Sequence, residues 1–75
     1  MTIGIIGAME EEVAVLKQEM DIEETVDYAS MQFCKGTLCG KNVVIVRSGI
    51  GKVNAAICAQ ILADKFNVDV LINTG

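Results

Sequence analysis

Histidine, proline and tryptophan are all absent from these 75 residues. Without histidine, the commonest acid/base side chain at neutral pH is missing. Without proline, nothing indicates a long irregular linker. Aromatic residues make up 4% of the chain, which leaves an aliphatic core. No hydrophobic run reaches the length of a bilayer span. The apolar opening from Met1 to Met9 has no basic leader and meets Glu10, Glu11 and Glu12 at once, unlike a signal peptide. A cytoplasmic location with no membrane partner is therefore expected. Basic residues are few and scattered: Lys17, Lys35, Lys41, Arg47, Lys52 and Lys65. With a net charge of -4, the chain is a poor platform for nucleic acid. Cys34, Cys39 and Cys58 lack the spacing of a metal site. Cys34 and Cys39 are close enough in sequence to face one another across a turn, but reduced thiols are the better reading. No metal and no cofactor is expected.

What is present is aliphatic and ordered. Residues of the apolar class make up 52% of the chain. One stretch organises it: Asn42-Val-Val-Ile-Val-Arg-Ser-Gly-Ile-Gly-Lys-Val-Asn54. Val43 to Val46 are all β-branched and read as a buried strand. Ser48-Gly-Ile-Gly51 breaks that pattern, and glycine lets backbone turn sharply and approach a ligand closely. After Gly51 the apolar residues return at helical spacing. Strand, glycine turn and helix make half of an α/β unit, and such units bind small molecules at the carboxyl ends of their strands.

Thr2 to Ile6 is a second short apolar run, predicted to be an inner strand that ends at Gly7-Ala8. Met9, Val13, Leu16 and Met20 follow at the period of an amphipathic helix, placed from about Glu10 to Glu19. From Ile22 onward an extended segment, a turn near Ala29-Ser30 and a strand through Met31 to Leu38 are expected. Gly36 suggests a bulge or twist there. Cys39-Gly-Lys-Asn42 is a tight reversal, with the Val43–Val46 strand as hairpin partner. In a helix from about Lys52 to Lys65, Val53, Ile57 and Ile61 lie four apart on one side, Ala56, Ala59 and Ala63 permit close approach, and Cys58 and Leu62 widen the apolar surface. Val68 to Ile72 is then the next buried strand. The fold class is α/β: a mixed central sheet flanked by helices. Because the last strand runs into Gly75, the chain is expected to be the N-terminal part of a larger sheet, as a single α/β domain.

If the first strand and the Val43–Val46 strand run parallel, the Gly7–Glu12 and Ser48–Gly51 loops share one edge of the sheet. The end from Ile72 to Gly75 is a third segment at that edge. The Ser48–Gly51 loop lacks both the dinucleotide fingerprint and the Lys-Ser/Thr of a phosphate loop. Its N–H groups would suit a hydroxyl or an anion, although the glycines alone would also make an ordinary turn. The three glutamates suit a first helical turn without any further role, since its exposed N–H groups and dipole favour acids. A catalytic role needs one of them turned inward. With Val13 and Leu16 marking the core face, Glu12 is better placed than Glu11, and a partly buried carboxylate there would hold and deprotonate a water. Met9 and Ile50 are core candidates that would also line an apolar pocket.

These residues carry a resemblance. Gly4-Ile-Ile-Gly-Ala-Met-Glu-Glu-Glu12 together with Ser48-Gly-Ile-Gly-Lys-Val-Asn-Ala-Ala56 resembles the 5'-methylthioadenosine/S-adenosylhomocysteine nucleosidase family, within the purine nucleoside phosphorylase-like superfamily. The match runs in register from Thr2 to Gly75 and covers the N-terminal part of the longer family members. The resemblance implies hydrolysis of the N-glycosidic bond, releasing adenine and the thioribose product. By position it implies Glu12 as the carboxylate that holds the attacking water. Met9 and Ile50 then contact the ribose and the 5'-thio substituent, Ala8 supplies a backbone wall, and Ser48, Gly49 and Gly51 border the substrate. It also implies a small-molecule nucleoside substrate, a homodimer, and two further carboxylates downstream of Gly75. The open alternatives are a phosphate-dependent phosphorylase, a futalosine-type nucleosidase and a non-catalytic nucleoside-binding module.

Overall fold

The structure is a computed structural model that describes residues 1–48 and 52–74, with residues 52 and 53 described by their backbone only. Its elements follow the order β1 (Thr2–Gly7), α1 (Glu10–Glu19), β2 (Asp21–Tyr28), β3 (Met31–Leu38), β4 (Lys41–Arg47), α2 (Lys52–Phe66) and β5 (Val70–Asn73). The five strands form one sheet in the order β2-β3-β4-β1-β5. β1 runs parallel to both β4 and β5, whereas β2, β3 and β4 form an antiparallel meander, so the sheet is mixed as expected.

Both hairpins close with two residues in the left-handed region. Ala29 and Ser30 have φ of 51° and 64°, and Cys39 and Gly40 have φ of 53° and 78°. This geometry matches the right-handed twist of paired strands, and glycine reaches it without strain at the second turn. The irregularity expected at Gly36 lies on its neighbour instead. Ile22 pairs with Gly36 and Glu24 with Lys35, so Glu23 is the extra residue. Gly36 matters for another reason: a Cβ there would run into the carbonyl of Asp21.

Each face of the sheet carries its own core. On one, Ile6, Phe33, Val44, Val46, Cys58 and Leu62 pack together under α2. On the other, Ile5, Val13, Met20, Val43 and Ile45 pack under α1. Apolar side chains therefore cover both faces of β4, which explains its continuous Val-Val-Ile-Val run. Tyr28, Phe33 and Phe66 close one end of the α2 core, with ring centroids 5.5–6.0 Å apart.

Two expectations are corrected. α2 is not seated through Ile57, which is 39% exposed; Cys58 and Leu62, expected only to widen the apolar surface, are buried, Ile61 packs half-buried beside them, and the side chain of Val53 lies outside the described residues. The sequence of α2 is apolar nearly all round, so periodicity alone did not fix its face. Gly4 does: Leu62 Cδ1 lies 3.1 Å from where a Gly4 Cβ would stand, so the leucine rests against bare strand backbone. The last strand is also shorter and less covered than expected. Asn67, at φ 52°, ends the helix. The Val68 N–H then donates to the Leu62 carbonyl at 3.3 Å, and the Asp69 N–H donates to the Thr2 carbonyl at 2.7 Å. Pairing with β1 begins only at Val70. Val70, Leu71 and Ile72 are 41%, 46% and 43% exposed. The whole chain exposes 4608 Å², close to the about 4,450 Å² that its mass predicts for a folded protein. The exposure of β5 is thus local, not a sign of loose packing.

Candidate active site

The parallel pairing brings the expected segments to one edge. Gly7 at the end of β1 stands opposite Arg47 at the end of β4, and Ile6 stands opposite Asn73 of β5. The Ser48 N–H donates to the Gly7 carbonyl at 2.9 Å, which joins the second loop to the first. On the other side of β1, the Thr74 N–H donates to the Ile6 carbonyl at 2.9 Å and the Thr74 hydroxyl donates to the same oxygen at 3.3 Å. Three strand ends therefore converge, with β1 in the middle. This is the kind of edge at which α/β sheets bind ligands.

Among the predicted site residues, Ser48 is buried, Ala8 is half-buried and Met9 is 55% exposed at the rim. Gly49, Ile50 and Gly51 lie outside the described residues. Met9 is the residue before α1 and not part of its packed face, as its backbone is extended at φ -121° and ψ 148°. The Val13 N–H donates to its carbonyl at 3.3 Å, starting the helix.

Glu12 sits in the first turn of α1, on the convergent edge, but its side chain is exposed and not partly buried as expected. Its Oε1 accepts from the Met9 N–H at 3.3 Å. A carboxylate at the third helical position reaching back to the start of the helix satisfies one of the unpaired donors there. That local bond, together with the position of the turn at the rim, accounts for the outward side chain. Val13, next in sequence, is fully buried and anchors the turn.

One contact was not foreseen. Arg47 Nε lies 3.4 Å from Glu10 Oε2, with both side chains more than half exposed. The pair bridges the end of β4 and the start of α1. Residues so distant in the chain leave no pairing signal in a single sequence. The other glutamates thus divide their roles: Glu10 is paired across the edge and Glu12 caps its own helix.

An open depression of about 300 Å³ lined by Met1, Ile3, Gly40, Lys41 and Asn42 lies at the opposite edge, where Thr2 pairs with Asn42. It contains no carboxylate to activate water. The cysteines are all free, with Cys34 and Cys58 buried and Cys39 exposed. Burial pushes the Cys58 thiol above its ordinary pKa of 9.0. Its Sγ lies 3.2 Å from the Met31 sulfur, in the core under α2. Among the described residues, no helix is long and apolar enough to cross a membrane.

Comparison with known proteins bears on this edge. The sequence profile described as the phosphorylase superfamily matches residues 2–75. A 5'-methylthioadenosine/S-adenosylhomocysteine nucleosidase from Listeria welshimeri is 56% identical over 75 residues, covering 100% of this chain and 32% of the relative. The solved structure of such a nucleosidase from Colwellia psychrerythraea 34H, in complex with adenine, matches with a TM-score of 0.94 at 52% identity, over 100% of this chain and 31% of that one. The corresponding Streptococcus pneumoniae structure, holding a transition-state inhibitor, matches at 0.93 and 49%, over 100% and 33%. The chain thus spans about a third of the length of the relatives it matches. It belongs to the phosphorylase superfamily.

Proposed function

From that membership we propose that these residues are the N-terminal part of a single nucleoside phosphorylase-like α/β domain. The complete protein is then a nucleosidase that hydrolyses the N-glycosidic bond of 5'-methylthioadenosine and S-adenosylhomocysteine, releasing adenine and the thioribose product. The observation that carries this reading is the match of all of these residues to 31% of an adenine-bound nucleosidase, at a TM-score of 0.94 with 52% identity. The uncovered β5 supports the domain assignment, because a parallel strand so apolar needs cover that these residues do not supply.

Glycosidic cleavage passes through a sugar with cationic character, which nearby carboxylates stabilise and an oriented water captures. Glu12 is the residue we assign to that water. To reach it, the carboxylate exchanges its bond with the Met9 N–H for one with the water. The exchange costs little, because the capping bond is solvent-exposed. Met9 and Ile50 contact the ribose and the 5'-thio group, Ala8 forms a backbone wall, and Ser48, Gly49 and Gly51 border the sugar. The protonation of adenine and the hold on the ribose hydroxyl belong to downstream carboxylates. We further place the enzyme in the cytoplasm, as a homodimer, in methionine salvage.

A phosphorylase of the same superfamily is the nearest rival, but Glu10, Glu11 and Glu12 on the first loop and helix turn would repel phosphate. The test uses the full-length protein in phosphate-free buffer. Wild type is expected to release adenine from methylthioadenosine faster than an equivalent amount of base from futalosine. Glu12→Gln is expected to lose about 10²–10⁴ in rate while binding is largely kept. Strict dependence on phosphate would replace the hydrolase with a phosphorylase. Unchanged turnover in Glu12→Gln would remove that carboxylate from the mechanism, and no turnover at all in wild type would leave a binding module.

A further inference from the structure

Val13 of α1 stands directly over Gly7, the last residue of β1. A Cβ built on Gly7 would lie 2.5 Å from Val13 Cγ2, closer than any real contact, yet 3.9 Å from Val13 Cβ, which is ordinary packing distance. Val13 is fully buried and β-branched, so it has no free rotamer in which to retreat. A side chain on Gly7 would therefore lift the first turn of α1. The same residue also anchors Ser48, whose N–H donates to its carbonyl at 2.9 Å. The first turn of α1 and Ser48 are thus referenced to one backbone position.

Taking the proposed role of Glu12 as given, we infer that Gly7 is a positioning residue for the reaction. Its bare α-carbon seats Val13, the depth of that seat sets the height of the helix start, and this height sets where the Glu12 carboxylate reaches. The other restraints on the turn are weak. The Arg47–Glu10 pair is solvent-exposed, and the Glu12 side chain bonds only to its own helix. Val13 is the one buried side chain of this turn, and it packs with Ile5 and Ile45 while its Cγ2 stands over Gly7.

The experiment is a mutant cycle in the full-length protein, following adenine release from methylthioadenosine. Wild type and Glu12→Gln are measured first in the same buffer, so that failure of the nucleosidase reading shows there and nowhere else. Gly7→Ala is then expected to lower kcat about 100-fold, the scale of an ångström-sized misplacement, with KM nearly unchanged. Adding Val13→Ala removes the colliding methyl and is expected to restore kcat to the level of Val13→Ala alone. Val13→Ile enlarges the same contact without touching the backbone, so it tests the idea even if Gly7→Ala does not fold. Its kcat is expected to fall about tenfold at constant KM. A wild-type kcat in Val13→Ile or in folded Gly7→Ala would overturn the inference. So would a double variant no faster than Gly7→Ala, or a loss of rate that only tracks the folded fraction seen by circular dichroism.

Discussion

Truncating Leu62 to alanine tests how α2 is held. The side chain is fully buried among Ile6, Phe33, Val44, Val46 and Cys58. Its Cδ1 rests against the backbone of Gly4, a residue with no side chain to move into a vacated space. Three carbons are lost, worth about 2.4 kcal/mol at roughly 0.8 kcal/mol per buried carbon. The cavity adds a further penalty, about 24 cal/mol for each Å³ that remains unfilled, or about 1 kcal/mol for roughly half of the vacated volume. A total loss of about 3–4 kcal/mol follows, within the range known for such truncations. That is a large part of the total stability expected for a segment of this size, about 4–11 kcal/mol. The assay is urea unfolding of the full-length protein by circular dichroism, with Leu62→Met as the volume-conserving control expected to lose under about 1.5 kcal/mol. A loss below about 1 kcal/mol in Leu62→Ala would refute the reasoning. It would mean that the helix settles onto β1 and that Gly4 is not a rigid floor.

Four other outcomes are expected. Alkylation of the native protein at neutral pH, followed by mass spectrometry, should modify exposed Cys39 first and Cys58 last, since Cys58 is buried and its thiol is held protonated above the ordinary value of 9.0. The same shift makes stability fall as pH rises above 9.0, because the unfolded chain loses the Cys58 proton more readily than the folded one; Cys58→Ala should remove that share of the alkaline slope. Gly36→Ala should cost about 1–3 kcal/mol or more in urea unfolding, because its methyl collides with the Asp21 carbonyl across the β2–β3 pair. A double-mutant cycle on Arg47 and Glu10 should return a coupling below about 1 kcal/mol, shrinking further in salt, because both side chains are more than half exposed.

The strands were more legible than the helix faces. β4 shows in the sequence as an unbroken β-branched run and β1 as a short apolar run interrupted by Gly4, because both faces of each are covered, and Gly40 marks its turn by composition. The tight turn at Ala29-Ser30 was placed correctly although neither residue favours a left-handed backbone; the strand signals on either side located it. The face of α2 is legible only in part: Ile61, Cys58 and Leu62 pack on the core but Ile57 does not, because apolar residues surround the axis and the choice among them depends on Gly4, far away in the chain. β5 was placed too early because Val68 looks like strand but is used to close the helix end. At the candidate site, the convergence of loops followed from the topology. The outward turn of Glu12 did not, since it comes from a short-range choice between the helix start and the pocket. The Arg47–Glu10 pair was beyond reach, because no local pattern links the two residues.

The strand order has a consequence for biosynthesis. β1 is made before both of its neighbours in the sheet, β4 and β5, with β2 and β3 in between. The β2–β3–β4 meander is local and can zip up by itself, whereas Ile3, Ile5 and Ile6 wait without a strand partner until Val43–Val46 appears. At ordinary translation speeds that wait lasts on the order of seconds. For that interval this apolar strand lacks the pairing that later covers its edges.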